Sequence, residues 1–99
     1  MSVAYQMLEY LKDYHNTEDT AVKARELRSL FNLTDRQLRV EVNHLRRDGE
    51  PVCSSSCGYW YSTDPSDLEK TIHRMEAQMV NMRVSITGLR KALQGGTGE

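Results

Sequence analysis

The chain has 99 residues, enough for one small domain, and its 38% hydrophobic and 27% charged residues suit a protein with a modest core that gains from burial against a partner. No apolar run approaches the roughly 18 residues of a membrane span, and the N-terminus lacks the basic-then-apolar pattern of a signal peptide, so a cytoplasmic protein without membrane partners is expected. The net charge of −1 is unevenly distributed: Lys12 stands against Glu9, Asp13, Glu18 and Asp19 in residues 1–21, whereas residues 22–47 hold Lys23, Arg25, Arg28, Arg36, Arg39, Arg46 and Arg47 against Glu26, Asp35 and Glu41. Residues 48–99 are again net acidic, so a polyanion would meet the central block.

Ser2 is placed to cap a first helix in which Val3, Met7, Leu8, Leu11 and Tyr14 recur at helical spacing, ending at the polar stretch His15–Thr20. A second helix is expected from about Val22 to Phe31, with Ala24, Leu27, Leu30 and Phe31 on one face and Lys23, Arg25 and Arg28 mostly off it. After the turn Asn32-Leu33, Thr34 and Gln37 form a capping box, T-x-x-Q, at the head of a third helix that Gly49 stops. Helix, short turn and basic helix make a helix-turn-helix pattern.

Beyond Gly49, Pro51-Val52-Cys53 and Gly58-Tyr59-Trp60-Tyr61 read as two short strands around a Ser54-Ser55-Ser56 loop, a β-hairpin. Tyr59 and Tyr61 alternate to one face and Trp60 to the other, where packing against a following helix is favoured over base stacking. Ser66 is the expected cap of a long helix with Asp67 and Glu69 in its first turn, and Gly95-Gly96-Thr97-Gly98 is the expected end. The predicted fold class is mainly α with a small β-hairpin: a winged helix-turn-helix domain over 1–63, a long C-terminal dimerisation helix over 64–94, and a flexible tail over 95–99.

The stretch Thr20–Ser62, with Leu27, Leu33-Thr34-Asp35-Arg36-Gln37-Leu38, Val42, Leu45, Arg46, Gly49 and Gly58-Tyr59, resembles the N-terminal winged-helix domain of the biotin-repressor family. The plan of hairpin and trailing long helix is also similar to small prophage-type regulators. The resemblance implies DNA binding by the third helix, and nothing in the chain matches that family's ligase domain.

At 100° per residue, Leu38, Val42 and Leu45 share the buried face of the third helix, leaving Arg36, Val40, Asn43 and Arg47 opposite, flanked by Gln37, Arg39 and His44. That mixture suits a major groove: arginine forks onto guanine, asparagine or glutamine onto adenine, and valine meets a thymine methyl. Arg36, Val40 and Asn43 are the expected base contacts. Arg39, Arg46 and Arg47, with Lys23, Arg25 and Arg28, are expected nearer phosphates. The serine loop offers no cation, so only a weak hairpin contact with DNA is expected.

No phosphate-cradling glycine loop, paired carboxylates or nucleophile elbow is visible, so the chain is not expected to be an enzyme, and no cofactor is implied. Cys53 and Cys57 are too few for zinc, and His15, His44 and His73 stand at no finger spacing from them, so no metal is expected. The two thiols are taken as opposed across the hairpin, able to approach under oxidation but reduced in a cytosol.

In the long helix Leu68, Ile72, Met75, Met79, Met82, Ile86, Leu89 and Leu93 step alternately by 4 and 3, an unbroken heptad seam with Ile72, Met79, Ile86 and Leu93 at a. A coiled-coil homodimer is expected; the alternative is a helix packed on its own domain through Val80 and Val84. The e positions are Glu69, Glu76, Arg83 and Arg90, while the g positions Thr71, Gln78, Ser85 and Ala92 are uncharged, so the e charges find partners only in an antiparallel pair. The expected function is a dimeric, sequence-specific binder of double-stranded DNA that regulates transcription. The alternative is a protein-interaction adaptor that does not read sequence.

Overall fold

The computed structural model describes residues 2–98, and the side chains of residues 2–95. The first helix, α1 (Val3–Tyr14), opens at Ser2, whose Oγ accepts from the Tyr5 amide at 3.3 Å. Ala4, Met7, Leu8 and Leu11 are buried. Val3 and Tyr14, expected in the same stripe, are exposed, because at 100° per residue both fall to one edge of the face that Ala4 and Leu11 centre.

The polar stretch that follows is not featureless: Thr17 and Thr20 cap one another around a single 3-10 turn, Glu18–Thr20. Helix α2 (Ala24–Phe31) starts two residues later than expected because Val22 is held elsewhere. Its amide donates to the Tyr59 carbonyl at 2.9 Å, and its carbonyl accepts from the Tyr59 amide at 2.8 Å, so it acts as a one-residue strand against the hairpin. Leu27 is buried, whereas Leu30 is exposed.

Asn32, in the left-handed region at φ 55°, turns the chain, and the Thr34–Gln37 capping box opens α3 (Asp35–Arg47) as the sequence predicts. Leu38, Val42 and Leu45 are buried, and α3 packs against α1 and α2. Its end is fixed by Gly49 at φ 86°: the Gly49 amide donates to the Arg46 carbonyl and the Glu50 amide to the Leu45 carbonyl, each at 3.0 Å, the paired bonds that close a helix C-terminus.

Strands β1 (Val52–Ser55) and β2 (Gly58–Tyr61) pair antiparallel, with Val52 opposite Tyr61 and Cys53 opposite Trp60. The loop is shorter than the sequence suggests. Ser54 and Ser55 belong to β1, leaving Ser56-Cys57 as the turn. The alternation places Val52, Tyr59 and Tyr61 on the helical core, with buried Cys53 and Trp60 on the other face.

The last helix, α4 (Pro65–Gly98), is capped by Asp64 instead of Ser66: Asp64 Oδ1 accepts from the Ser66 amide at 2.9 Å, and Pro65 takes the first helical position, where its missing N–H leaves nothing unpaired. Asp67 Oδ2 accepts from the Trp60 indole at 3.2 Å, and the buried Thr71 hydroxyl accepts from the Ser54 amide at 3.2 Å. Beyond Thr71 every described side chain of α4 is exposed. Val80 and Val84 therefore do not meet α1. The helix continues to Gly98, into the stretch expected as a tail, since glycine weakens a helix by about 1 kcal/mol relative to alanine without removing a backbone hydrogen bond. Glu99, the last residue of that tail, lies outside the described residues. Thirty-four residues give about 51 Å of helix, most of the molecule's 59 Å length.

Gly58 is the tightest point. It has φ 127°, and a Cβ there would lie 2.3 Å from the Val22 carbonyl oxygen. Gly58→Ala combines backbone strain with a backbone clash and is expected to destabilise by about 2–4 kcal/mol, lowering Tm by about 10 °C or more in thermal unfolding. Gly88→Ala, with open space around it on α4, is expected to leave Tm unchanged or raise it.

Candidate nucleic-acid interface

The capping box at one end and the Gly49 turn at the other fix the length and rotation of α3. Because Leu38, Val42 and Leu45 face the core, Arg36, Gln37, Arg39, Val40, Asn43, His44 and Arg47 all stand exposed, as the helical projection predicts. Val40 is 55% exposed with nothing to cover it, an apolar spot in the middle of a basic face.

The exposed side chains are not equally available. Arg36 and Arg47, like Arg25 on α2, form no ion pair among the described residues. Arg39 Nη2 lies 3.0 Å from Asp35 Oδ2, an exposed pair that a phosphate can replace at little cost. Gln37 engages its side-chain carbonyl in the cap, and His44 Nε2 lies 3.6 Å from Asp48 Oδ2.

Two of the cations expected nearer phosphates, Arg46 and Lys23, also hold the chain's own backbone, and a third, Arg28, is partly withdrawn from solvent. Arg46 Nε donates to the Val52 carbonyl and its Nη2 to Ser54 Oγ, both at 2.9 Å, so it pins β1 to α3. Burial lowers its pKa from the ordinary value, and the nearby Arg74 charge acts in the same direction, yet the guanidinium stays charged. Lys23 lies ahead of α2, and its Nζ donates to the Ser56 carbonyl at 2.8 Å. Arg28 is half-buried, with its Nε shielded from solvent and unbonded among the described residues.

These placements build something the sequence did not announce. A groove of about 770 Å³ runs between one flank of α3, the hairpin and α4, lined by Lys23, Arg39, Arg46 and Arg74 together with Asn43 and Ser54–Ser56. The hairpin carries no cation of its own, but Lys23 from the α2 approach and Arg74 from α4 supply charge beside it. Arg74 was not a candidate by sequence because it lies off the heptad seam and belongs to no basic run; only the docking of α4 on the hairpin brings it to α3.

The cysteines are free and apart in role. Cys53 is buried opposite Trp60, whereas Cys57 is exposed in the turn, so they are not the opposed pair that the sequence suggested. Burial pushes the Cys53 thiol pKa up, against a hydrogen bond with Thr71. Among the described residues no group of three His, Cys, Asp or Glu is placed to hold a metal, and no helix is long and apolar enough to cross a membrane. Set against known proteins, the chain matches no family model, no curated protein and no solved structure.

Arg46→Met is expected to lose both hydrogen bonds to β1 and about 1–3 kcal/mol of stability in denaturant unfolding, whereas Arg36→Ala on the open face changes stability by less than about 0.5 kcal/mol. A thiol reagent at pH 8 should modify one cysteine in the native chain, Cys57, and reach Cys53 only after unfolding. Rapid labelling of both would contradict the burial of Cys53.

Proposed function

We propose that the chain binds double-stranded DNA as a homodimer and regulates transcription, using a winged-helix mode in which α3 lies in the major groove and the hairpin approaches the flanking backbone. The observation that carries this reading is the continuity of two surfaces. The open face of α3, with Arg36, Val40, Asn43 and Arg47, borders directly on a groove lined by Lys23, Arg39, Arg46 and Arg74. Arg36, Val40 and Asn43 have the chemistry to read base edges, and the cations around them suit phosphates.

The net charge of −1 does not oppose this. Screening confines charge effects to about 10 Å at ordinary salt, so a DNA strand on α3 meets the local cations and little of the acidic remainder. Two such units on an antiparallel α4 pair, whose 26-residue seam spans about 39 Å, would suit half-sites about one DNA turn, 34–36 Å, apart.

Fluorescence anisotropy with duplex DNA across a salt series tests the reading. Affinity should fall steeply with salt, and Arg36→Ala with Arg39→Ala should reduce it by roughly tenfold or more and flatten the salt dependence. Footprinting of a selected site should show two symmetric half-sites. Absence of salt-sensitive binding would overturn the DNA reading and favour the adaptor alternative, in which the exposed methionines of α4 hold a protein partner.

A further inference from the structure

The fold leaves the apolar seam of α4 bare. Met79, Met82 and Leu89 are 61%, 66% and 71% exposed, on a helix whose last buried side chain is Thr71. A contiguous apolar stripe of this length marks an interaction surface.

The two flanks of that seam differ. The uncharged g flank turns toward the chain's own domain: Thr71 is bonded to Ser54, and Gln78 lines the groove beside α3. The e flank turns away, and its Glu69, Glu76, Arg83 and Arg90 are exposed and form no ion pair among the described residues. The seam also borders a second cavity, an apolar trough of about 310 Å³ between α4 and the Gly49–Val52 turn, lined by Pro51, Val52, Leu68, Ile72 and Met75.

We infer that one occupant fills both the seam and the trough: α4 of a second copy, running antiparallel, with its Ser85–Leu93 segment seated between α4 and the Pro51 turn. The inference rests on the homodimer part of the proposed function and not on DNA binding. Charge complementarity fixes the direction. In the antiparallel register Glu69 meets Arg90 and Glu76 meets Arg83 of the second copy, and two-fold symmetry repeats both pairs. A parallel pair sets e against g, where Thr71, Gln78, Ser85 and Ala92 offer no charge. The same register lays Leu93, Leu89 and Ile86 of the second copy on Leu68, Ile72 and Met75, which with Thr71 are the α4 residues that line the trough. Ser85 and Ala92 of the second copy then face the domain. Their small size lets the helix enter where a long charged side chain would strike the Pro51 turn.

Light scattering on the full chain is expected to give twice the 11.4 kDa chain mass, and Ile86→Asp the single mass. Ala92 is exposed in the single chain, so Ala92→Glu does not threaten the fold, which circular dichroism would verify. It is expected to weaken the dimer at least tenfold. The double variants E69R/E76R and R83E/R90E should each dimerise at least tenfold more weakly than the parent, while their equimolar mixture recovers parent affinity as a heterodimer. A monomeric parent, or an Ala92→Glu chain that dimerises like the parent, would overturn the inference. So would double variants that self-associate unimpaired. None of these readouts involves DNA, and a parent dimer that ignores DNA would sink the proposed function while leaving this interface standing.

Discussion

Two antiparallel strands of four residues are marginal in water, and the hairpin from Val52 to Tyr61 persists because both of its faces are covered. Val52, Tyr59 and Tyr61 lie on the three-helix core; Cys53 and Trp60 lie beneath the first turns of α4, with the indole bonded to Asp67. The Val22 bridge adds backbone pairing along β2, and Gly58 has no Cβ because the Val22 carbonyl occupies that space. Each cover depends on the others. Without the core the hairpin has no support, and without the hairpin α4 has no dock and no fixed direction.

That arrangement also decides which cations remain available. Arg46 holds β1 and Lys23 holds the turn, a supporting duty that the one-dimensional pattern does not show. Their charge is not lost, because both still line the groove beside α3. Arg36 and Arg47 have no such structural duty, and the burial of Leu38, Val42 and Leu45 turns them outward. The positive block of residues 22–47 therefore divides into a supporting set and a free set.

Much of this was legible in the sequence, for local reasons. The Ser2 and Thr34 caps, the Gly49 stop and the buried face of α3 depend on neighbours three or four residues away, which pattern reading captures. The misses lie where a distant segment intervenes. Val22 fits a helical pattern but pairs with Tyr59, Cys53 faces Trp60 in place of Cys57, and Asp64 caps α4 ahead of Ser66 because Pro65 suits the first helical position. Arg74 could be found only by knowing that α4 docks on the hairpin. The heptad seam was readable as a pattern, but whether it met its own domain was not, since Val80 and Val84 would have looked the same either way.

The uncharged g flank of α4 now has a physical reason. Half of it, Thr71 and Gln78, faces the chain's own domain, where a lysine or glutamate would have to be desolvated against the hairpin. Ser85 and Ala92 have no such neighbour among the described residues, being exposed beyond the end of the domain, yet they are just as free of charge while the e flank at the same level carries Arg83 and Arg90. The chain's own domain accounts for this restriction over only the first two of the four heptads, and the proposed pairing with a second copy would account for the rest. In the proposed antiparallel arrangement Ser85 and Ala92 would face the domain of the other copy, beside the trough at Pro51. The methionine layers at the middle of the seam are adaptable, so in the proposed pair the ends, where helix and trough come together, would set the separation of the two α3 faces.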